Sequence, residues 1–492
     1  MSIVEQSAAT EVETLRNYIG GEWVASASKD SLDDIDPATG ELLARVPLST
    51  VADVDAAAKA ARAAQPAWAA VPVARRARAV FALREALWNE REALAQLVTQ
   101  DMGKALDDAR GEVVRGIEST EAACGIPTLL KGETLGGIAK NMDVEMWRQP
   151  VGVVAAITPF NFPAMIPLWF LPYAIACGNT FILKPSERDP RTSERICELI
   201  DGIDQIPAGV VNLVHGAHDA VNGLLDHPDI DAISFVGQAS TAMYVMDRGT
   251  KSGKRVQALG GAKNSMVVMD DADLDDALPA MMQSAFGNAG QRCLAGSVAV
   301  IVGDEARRSE VRSALAEAAS ALPTGPGTDE NVICPPMVAR DARDRVSDAV
   351  DRALNEGAEM VVEGRETTNE AGALMGPTIV ATSDRESEIA REELFGPVLA
   401  LIEVEDLTEA LEFVNSSRYG NASSIFTTSG GAVRRYRAEV EAGMIGVNVG
   451  VPAPVAWFPF AGWKDSMVGD LHANGMDAIE FYTRKKVLTT RW

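Results

Sequence analysis

One cysteine of this chain lies where a thiol could act as a nucleophile. Cys293 follows a glycine-containing loop, whereas three other cysteines lie in helix-like or apolar segments. The thiolate is the reactive form of cysteine, whose ordinary pKa is about 8.5, and the neighbouring Arg292 would favour that anion. We therefore predict a lowered pKa and an acyl-type reaction at Cys293. A buried structural thiol is the alternative.

Acyl chemistry at Cys293 also requires hydrogen-bond donors for the oxyanion that forms on the attacked carbonyl group. Asn161 is a candidate donor, because the segment 159–163 (Pro-Phe-Asn-Phe-Pro) follows a predicted strand over 151–157. Ligands of open α/β sheets bind beyond the carboxyl ends of the strands. The alternative is that Asn161 only forms a turn between the two prolines.

Two loops could hold a nucleotide, although the Gly-x-Gly-x-x-Gly fingerprint of dinucleotide-binding folds is absent. Gly237 and Gln238 connect a predicted strand to a helix whose N-terminal amides could face a phosphate. Lys184 and Glu187 follow another strand, and the glutamate could accept hydrogen bonds from ribose hydroxyls. An ordinary charged loop is the alternative for this second pair.

The composition excludes several functions. The chain has 492 residues, with 45 Lys and Arg against 70 Asp and Glu, and its net charge of −25 would repel a polyanion such as DNA. The five cysteines and four histidines show no metal-ligand spacing, so we expect neither a nucleic-acid partner nor a metal. Unpaired cysteines fit a reducing compartment, and residues 1–14 lack the apolar core of a signal peptide. We therefore expect a cytoplasmic protein.

Two long uncharged segments, 149–183 and 442–463, need an explanation other than membrane insertion. Prolines interrupt both segments. Because a proline inside a helix removes a hydrogen bond and clashes with the preceding turn, neither segment predicts a membrane-spanning helix. We expect no membrane partner.

Short apolar segments alternate with helical ones along most of the chain, which is typical of parallel α/β sheets. Two sets of strands, with a break near Ala295, indicate two α/β domains. A capped helix is predicted after Thr50, an amphipathic helix over 75–100, and an exposed edge strand over 478–491 that a partner subunit could cover. The first set comprises 151–157, 180–183, 210–214, 232–236 and 265–269, and the second comprises 297–302, 359–363, 398–404, 423–427 and 445–449.

Taken together, four motifs resemble those of the aldehyde dehydrogenase superfamily in order and spacing, over nearly the whole chain. They are 159–163 (Pro-Phe-Asn-Phe-Pro), 184–187 (Lys-Pro-Ser-Glu), 290–293 (Gly-Gln-Arg-Cys) and 392–398 (Glu-Glu-Leu-Phe-Gly-Pro-Val). The resemblance implies two Rossmann-like open-sheet α/β domains plus a small β oligomerisation arm, and a homo-oligomer built as a dimer of dimers, that is, a homotetramer. The implied bounds are 1–124 and 148–258 for the NAD-binding domain, 259–450 for the catalytic domain, and 125–147 with 470–492 for the arm.

The resemblance also implies roles for single residues. Cys293 would be the nucleophile that carries a thioester, and Asn161 with the Cys293 backbone amide would form the oxyanion hole. Arg115 and Arg292 would bind a carboxylate at the far end of the substrate. Glu187 should repel a 2′-phosphate, which favours NAD over NADP. The NAD contacts would come from Thr158, Phe160, Lys184, Glu187, Gly237, Gln238, Glu393 and Phe395.

The absence of one carboxylate indicates the acyl acceptor. Hydrolytic members of the superfamily carry a glutamate 34 residues before the cysteine, where this chain has Leu259. Water needs a general base at neutral pH, whereas a thiol such as coenzyme A ionises more readily. The segment 261–264 also resembles the Gly-Ala-Lys-Asn motif of CoA-acylating methylmalonate-semialdehyde dehydrogenases. That resemblance implies NAD-dependent oxidation of methylmalonate or malonate semialdehyde to propionyl-CoA or acetyl-CoA, with loss of CO2 and with coenzyme A as co-substrate. The alternative is a hydrolytic NAD(P)-dependent enzyme acting on another carboxylated semialdehyde.

Overall fold

Two large sheets with a buried core on each face form the centre of the protein. The computed structural model describes residues 12–492, so the first eleven residues of the segment 1–14 lie outside it. Five parallel strands occupy the middle of the first sheet, and antiparallel strands form its edges. The order of its eight strands is Glu22–Val24, Asn17–Ile19, Val211–Leu213, Thr180–Lys184, Val153–Ile157, Ala232–Gly237, Arg255–Gly260 and Met467–Val468.

The strand order of the first sheet reverses between Val153–Ile157 and Ala232–Gly237. The connections from these two strands therefore leave on opposite faces, and a crevice opens beyond their carboxyl ends. Both strands are buried on both faces over most of their length, which explains why the sequence there is continuously apolar.

The second sheet has seven strands, and all neighbouring pairs are parallel except the first. The predicted strand 265–269 lies here rather than with the first set, because the chain leaves the first sheet at Gly260 and crosses to pair with two strands of the second. The grouping made from the sequence was wrong on this point. The order is Glu359–Val362, Thr378–Ala381, Val398–Val404, Gly296–Val302, Asn264–Val268, Ala422–Phe426 and Met444–Val447.

Helices cover the two sheets. The predicted capping box at Thr50 is present, since the Asp53 carboxylate accepts from the Thr50 amide at 2.8 Å and the Thr50 hydroxyl accepts from the amide of Ala52 at 3.2 Å. The predicted helix 75–100 is two helices, because the chain turns at Glu90. The α-helices are Val51–Ala70, Val73–Asn89, Arg91–Met102, Leu106–Cys124, Ile126–Leu129, Met165–Ala176, Arg191–Asp201, His218–Asp226, Ala239–Lys251, Leu274–Phe286, Glu305–Ser320, Arg340–Asn355, Glu388–Arg391, Leu407–Asn415, Gly430–Glu439 and Gly475–Tyr482.

The uncharged segment 149–183 is internal to the fold. It contains the central strand Val153–Ile157 and the helix Met165–Ala176, in which every residue after the first is buried. Its apolar character therefore reflects burial in the protein core. Over residues 12–492, no helix is both long enough and apolar enough to cross a bilayer.

Three further sheets are small. Two of them are antiparallel pairs of strands, one of them a hairpin, and the third is an antiparallel sheet of three long strands with exposed apolar side chains, among them Leu135 and Val487. The strand predicted over 478–491 is only partly correct: residues 475–482 are helical, because Ile479 and Tyr482 are buried at helical spacing. The strands are Thr483–Arg491, Met142–Pro150 and Glu133–Ala139 in the third sheet, and Ser31–Ile35 with Leu42–Pro47 and Tyr419–Gly420 with Trp463–Lys464 in the pairs.

Candidate active site

Two cavities share Cys293 as a lining residue. The larger has a volume of about 960 Å³ and includes the carboxyl ends of the central strands of the first sheet, and the smaller has a volume of about 360 Å³. The twelve residues predicted for the site all line one of these cavities. The larger cavity is lined by Cys293, Asn161, Thr158, Phe160, Lys184, Glu187, Gly237, Gln238, Glu393 and Phe395, and the smaller by Cys293, Arg115 and Arg292.

Cys293 follows a strained turn. In the segment Gly287–Gly290, both Asn288 and Ala289 adopt positive φ angles, of 55° and 52°, which cost energy in residues with a side chain. The Cys293 carbonyl oxygen accepts hydrogen bonds from the side-chain amides of Asn264 at 2.9 Å and Asn421 at 2.8 Å. The side chain stays half-buried and open to both cavities, so the thiol is accessible.

The pKa of Cys293 is shifted in the direction opposite to our prediction. Burial, together with the negative charge of Glu393, raises it to about 12, and the cation of Arg292 offsets only part of this effect. Arg292 is less effective than the sequence indicated because its guanidinium is already paired with a carboxylate, Asp108, at 2.5 Å. In the protein without ligands, the Cys293 thiol is therefore protonated at neutral pH.

Asn161 lies on the segment that follows the central strand Val153–Ile157, as predicted. Its side chain is buried, and Nδ2 donates to the carbonyl oxygen of Gln291 at 2.9 Å, two residues before the cysteine. This bond fixes the amide on the cysteine-bearing turn. One N–H of the same amide group is left free of that bond, in a cavity that Asn161 and Cys293 share.

A buried ion pair, which the sequence reasoning missed, hydrogen-bonds to the backbone of the segment that contains Asn161. Lys104 and Glu112 are paired and almost wholly buried. Lys104 Nζ donates to the Asn161 carbonyl oxygen at 2.7 Å, and Glu112 Oε1 accepts from the backbone amides of Ala164 and Met165 at 2.8 and 3.1 Å. The sequence did contain a signal for this pair: Glu112 falls on the buried face of the helix Leu106–Cys124, and a buried carboxylate needs a partner.

A second ion pair, between Lys184 and Glu187, lines the larger cavity. Lys184 Nζ lies 2.9 Å from Glu187 Oε2. Burial opposes ionisation of Glu187, but the neighbouring lysine outweighs it and lowers the pKa of that carboxyl below its ordinary value. Glu187 is therefore a carboxylate at neutral pH, able to accept hydrogen bonds and to repel other anions.

The phosphate-side turn lies at the switch point of the first sheet. Gln238 is the N-cap residue of the 13-residue helix Ala239–Lys251, and no side chain caps that terminus. Its first-turn amides, next to the cavity-lining Gly237 and Gln238, are thus available to a ligand. The turn at Gly237 and Gln238 therefore lies where the Gly-x-Gly-x-x-Gly turn of a dinucleotide-binding fold would lie, although its sequence is different.

Glu393 and Phe395 also line the larger cavity. Glu393 Oε1 accepts from the Ala262 amide at 2.9 Å, and burial raises the pKa of Glu393 to about 7. Phe395 has a φ of 57° and packs edge-on against Phe160, with ring centroids 5.8 Å apart. The left-handed backbone conformation of Phe395 is strained, and it places the ring beside the cavity.

No carboxylate stands at the position where hydrolytic members of the superfamily carry one. Leu259 is buried in the strand Arg255–Gly260 and lines the larger cavity with Cys293. The wall at that point is apolar, so it offers no base to a water molecule.

The smaller cavity brings the two predicted arginines together. Arg115 Nη2 donates to the Pro454 carbonyl oxygen at 2.7 Å, and Arg292 Nη1 donates to that of Gln283 at 3.0 Å. Much of the remaining wall is apolar, and the cysteine itself is part of it. The apolar side chains that line it include Phe162, Met165, Trp169, Val451 and Phe460.

The sequence profile of the aldehyde dehydrogenase family matches residues 23–488. The chain belongs to this family. It is therefore an oxidoreductase that acts on aldehydes, and the predicted fold class is confirmed. The roles of the single site residues stay predictions.

The chain is similar to relatives of known name. It is 51% identical over 484 residues to malonate-semialdehyde dehydrogenase 1 of Geobacillus kaustophilus, covering 98% of each chain, and 48% identical to malonate-semialdehyde dehydrogenase of Halalkalibacterium halodurans, covering 98% and 99%.

Among solved structures, a candidate methylmalonate-semialdehyde dehydrogenase of Sinorhizobium meliloti in complex with NAD superposes with a TM-score of 0.96 at 42% identity, covering 98% of this chain and 99% of that one. A methylmalonate-semialdehyde dehydrogenase of Oceanimonas doudoroffii superposes with a TM-score of 0.95 at 41% identity and the same coverage.

Proposed function

We propose that this protein oxidises malonate or methylmalonate semialdehyde with NAD and transfers the acyl group to coenzyme A, giving acetyl-CoA or propionyl-CoA after loss of CO2. One observation carries the proposal. Cys293 stands between a cavity whose wall has Leu259 in place of a general base and a cavity that contains Arg115 and Arg292. The names of the similar proteins support the same reaction.

The residues of the larger cavity fit a dinucleotide. Glu187 is ionised and could accept hydrogen bonds from ribose hydroxyls, and the free amides of the turn at Gly237 and Gln238 suit a pyrophosphate. The carboxylate of Glu187 would repel a 2′-phosphate, which supports NAD rather than NADP. Bound NAD supplies the hydride acceptor, and its positively charged nicotinamide favours a nearby thiolate.

Cys293 begins the reaction as a neutral thiol, gives up its proton to water in the larger cavity, and reacts as its anion. The thiolate sulfur forms a bond to the aldehyde carbon, and the developing oxyanion accepts hydrogen bonds from Asn161 and from the Cys293 amide. Oxidation of this adduct leaves a thioester on the sulfur. Lys104 and Glu112 fix the backbone from which Asn161 projects, so that the amide need not reorganise during the reaction.

The acyl group is then transferred to a second sulfur: its carbonyl carbon bonds to the sulfur of coenzyme A, and the bond to Cys293 breaks, which releases the Cys293 thiolate. With Leu259 facing the cavity, water lacks the base that it needs, whereas coenzyme A brings a thiol that ionises more readily. Arg115 and Arg292 would hold the carboxylate of the semialdehyde until it leaves as CO2, because a guanidinium can bind a carboxylate through two parallel hydrogen bonds.

We also propose a homo-oligomer, a dimer of dimers, in the cytoplasm. The three-stranded sheet carries apolar side chains that are largely exposed in the single chain, with Leu135 exposed by 65% and Val487 by 63%. A partner subunit would bury them. The cysteines are all free, which suits a reducing compartment.

Product analysis tests the acylating reaction. With malonate semialdehyde and NAD, we expect NADH formation to depend on coenzyme A and acetyl-CoA to accumulate. Equal rates with and without coenzyme A, and a free acid as the product, would instead support hydrolysis assisted by Glu393, whose pKa of about 7 leaves it partly ionised at neutral pH.

A substitution of Arg115 tests the substrate class. Arg115→Ala should raise KM for carboxylated semialdehydes and leave propanal unaffected, because only the former present an anion to the guanidinium. Arg110→Ala is the matched control, because Arg110 lies on the same helix but is paired with Glu92 and does not line the cavity. Equal losses for both aldehydes would refute the carboxylate site.

A further inference from the structure

The guanidinium of Arg292 does not enter the smaller cavity as a free cation. Its Nη2 atom lies 2.5 Å from Asp108 Oδ2, and its Nη1 atom donates to the Gln283 carbonyl oxygen at 3.0 Å. The second oxygen of Asp108 accepts from the Gln283 side-chain amide at 3.1 Å. Asp108 and Gln283 together therefore fix the place and plane of this guanidinium.

Asp108 is also part of the cavity wall. Its side chain is 21% exposed and that of Arg292 is 11% exposed, and both line the same space. The other arginine is less firmly held, since Arg115 Nε lies 3.7 Å from Glu118 Oε2 and its side chain is 36% exposed. An anionic substrate entering the cavity would thus meet one partly free cation and one cation that shares its charge with Asp108.

We propose that Asp108 is a specificity-determining residue, which positions Arg292 and, through its own negative charge, limits how tightly the cavity holds a carboxylate. The inference rests on the proposed function, in which the semialdehyde carboxylate lies in this cavity. A carboxylate held too firmly by two unopposed arginines would also be slow to leave, whereas a carboxylate facing Asp108 is less stabilised.

Asp108→Asn removes the negative charge of residue 108 and keeps the size and shape of its side chain, so it tests the effect of the charge alone. Asparagine keeps one oxygen that can accept from Arg292, and the amide of Gln283 can turn to present its oxygen to the new NH2 group. Removal of a like charge should lower KM for malonate semialdehyde by about fivefold, while KM for propanal stays the same. Glu121→Gln is the matched control, because Glu121 lies on the same helix but pairs with Arg84 at 2.7 Å and lines neither cavity.

A second measurement does not require turnover of a semialdehyde. Malonate, which carries carboxylates but no aldehyde, should inhibit propanal oxidation more strongly in Asp108→Asn than in the wild type, by a similar factor. In Glu121→Gln the inhibition by malonate should equal that of the wild type. Thermal unfolding of each variant shows whether it is folded.

The outcomes distinguish the two proposals. A KM that rises or stays constant for malonate semialdehyde, or that changes equally for both aldehydes, would overturn the role of Asp108, as would unchanged inhibition by malonate. If the wild type oxidises propanal but no carboxylated semialdehyde, the proposed function fails, and the malonate inhibition constants alone decide whether Asp108 controls anion binding.

Discussion

Gly287→Ala tests whether the position of Arg292, and not only its charge, controls the recognition of carboxylated substrates. A Cβ atom on residue 287 would lie 2.7 Å from Arg292 Nη1, 2.8 Å from Nη2 and 2.9 Å from Cζ. Carbon atoms in proteins approach such groups to about 3.5 Å, so the guanidinium would have to retreat by roughly 0.6 to 0.8 Å. The backbone of Gly287, with φ −57° and ψ 137°, allows alanine, so the turn itself should persist.

The size of the effect follows from the bonds that this movement breaks. The hydrogen bonds from Arg292 to Gln283, at 3.0 Å, and to Asp108, at 2.5 Å, would be weakened, and the guanidinium would move away from its present position at the cavity. A hydrogen bond to a charged group contributes about 1.5 to 3 kcal/mol. Loss of one such bond to the substrate carboxylate should reduce kcat/KM for malonate semialdehyde by about 10- to 100-fold.

Steady-state kinetics with two aldehydes provide the assay. The loss should appear with malonate semialdehyde, while kcat/KM for propanal should change by less than about twofold, because propanal has no carboxylate. Gly111→Ala is the control: Gly111 also lines the smaller cavity, but a Cβ atom there would meet nothing within 4 Å. Equal losses for both aldehydes, or a wild-type rate for the carboxylated one, would refute the reasoning.

Three further predictions concern the thiol and its surroundings. Glu112→Gln leaves the buried charge of Lys104 without its partner, so kcat should fall at least about tenfold and the protein should lose about 3 to 5 kcal/mol of stability, measured by kinetics and by denaturant unfolding. Leu259→Glu should make NADH formation less dependent on coenzyme A and yield free acid, measured by product analysis. Glu393→Gln removes a charge that raises the pKa of Cys293, so alkylation of the thiol by iodoacetamide should be faster at any pH between about 7 and 10.

The sign of the last effect follows from the linkage between charge and ionisation. A thiol whose pKa falls has more thiolate at a given pH, and the thiolate is the species that reacts. Wild-type alkylation should keep rising with pH up to pH 10, since the pKa is about 12. Cys293→Ser identifies the reacting thiol, because the other four cysteines are buried. A wild-type rate that levels off near pH 8 would contradict this assignment of the pKa.

The sequence by itself determined the architecture and the composition of the site. Nine of the ten strands predicted for the two large sheets fall in the predicted sheet within two residues at each end, because most of them are buried, continuous apolar segments that need no tertiary information to detect. The motif residues follow strand ends, and in an open parallel sheet those ends meet at one edge. The sequence therefore indicated which side chains line the cavities, and Leu259 showed that the glutamate base of the hydrolytic enzymes is missing.

Only the tertiary structure decided how those side chains behave. The pKa of Cys293 depends on burial and on Glu393, which lies 100 residues away in the chain, so the adjacent Arg292 gave the wrong sign. The support of Asn161 by Lys104 and the pairing of Arg292 with Asp108 likewise join segments that are distant in sequence. Electrostatic energies depend on distance and on exclusion of water, and neither quantity is contained in the order of the residues.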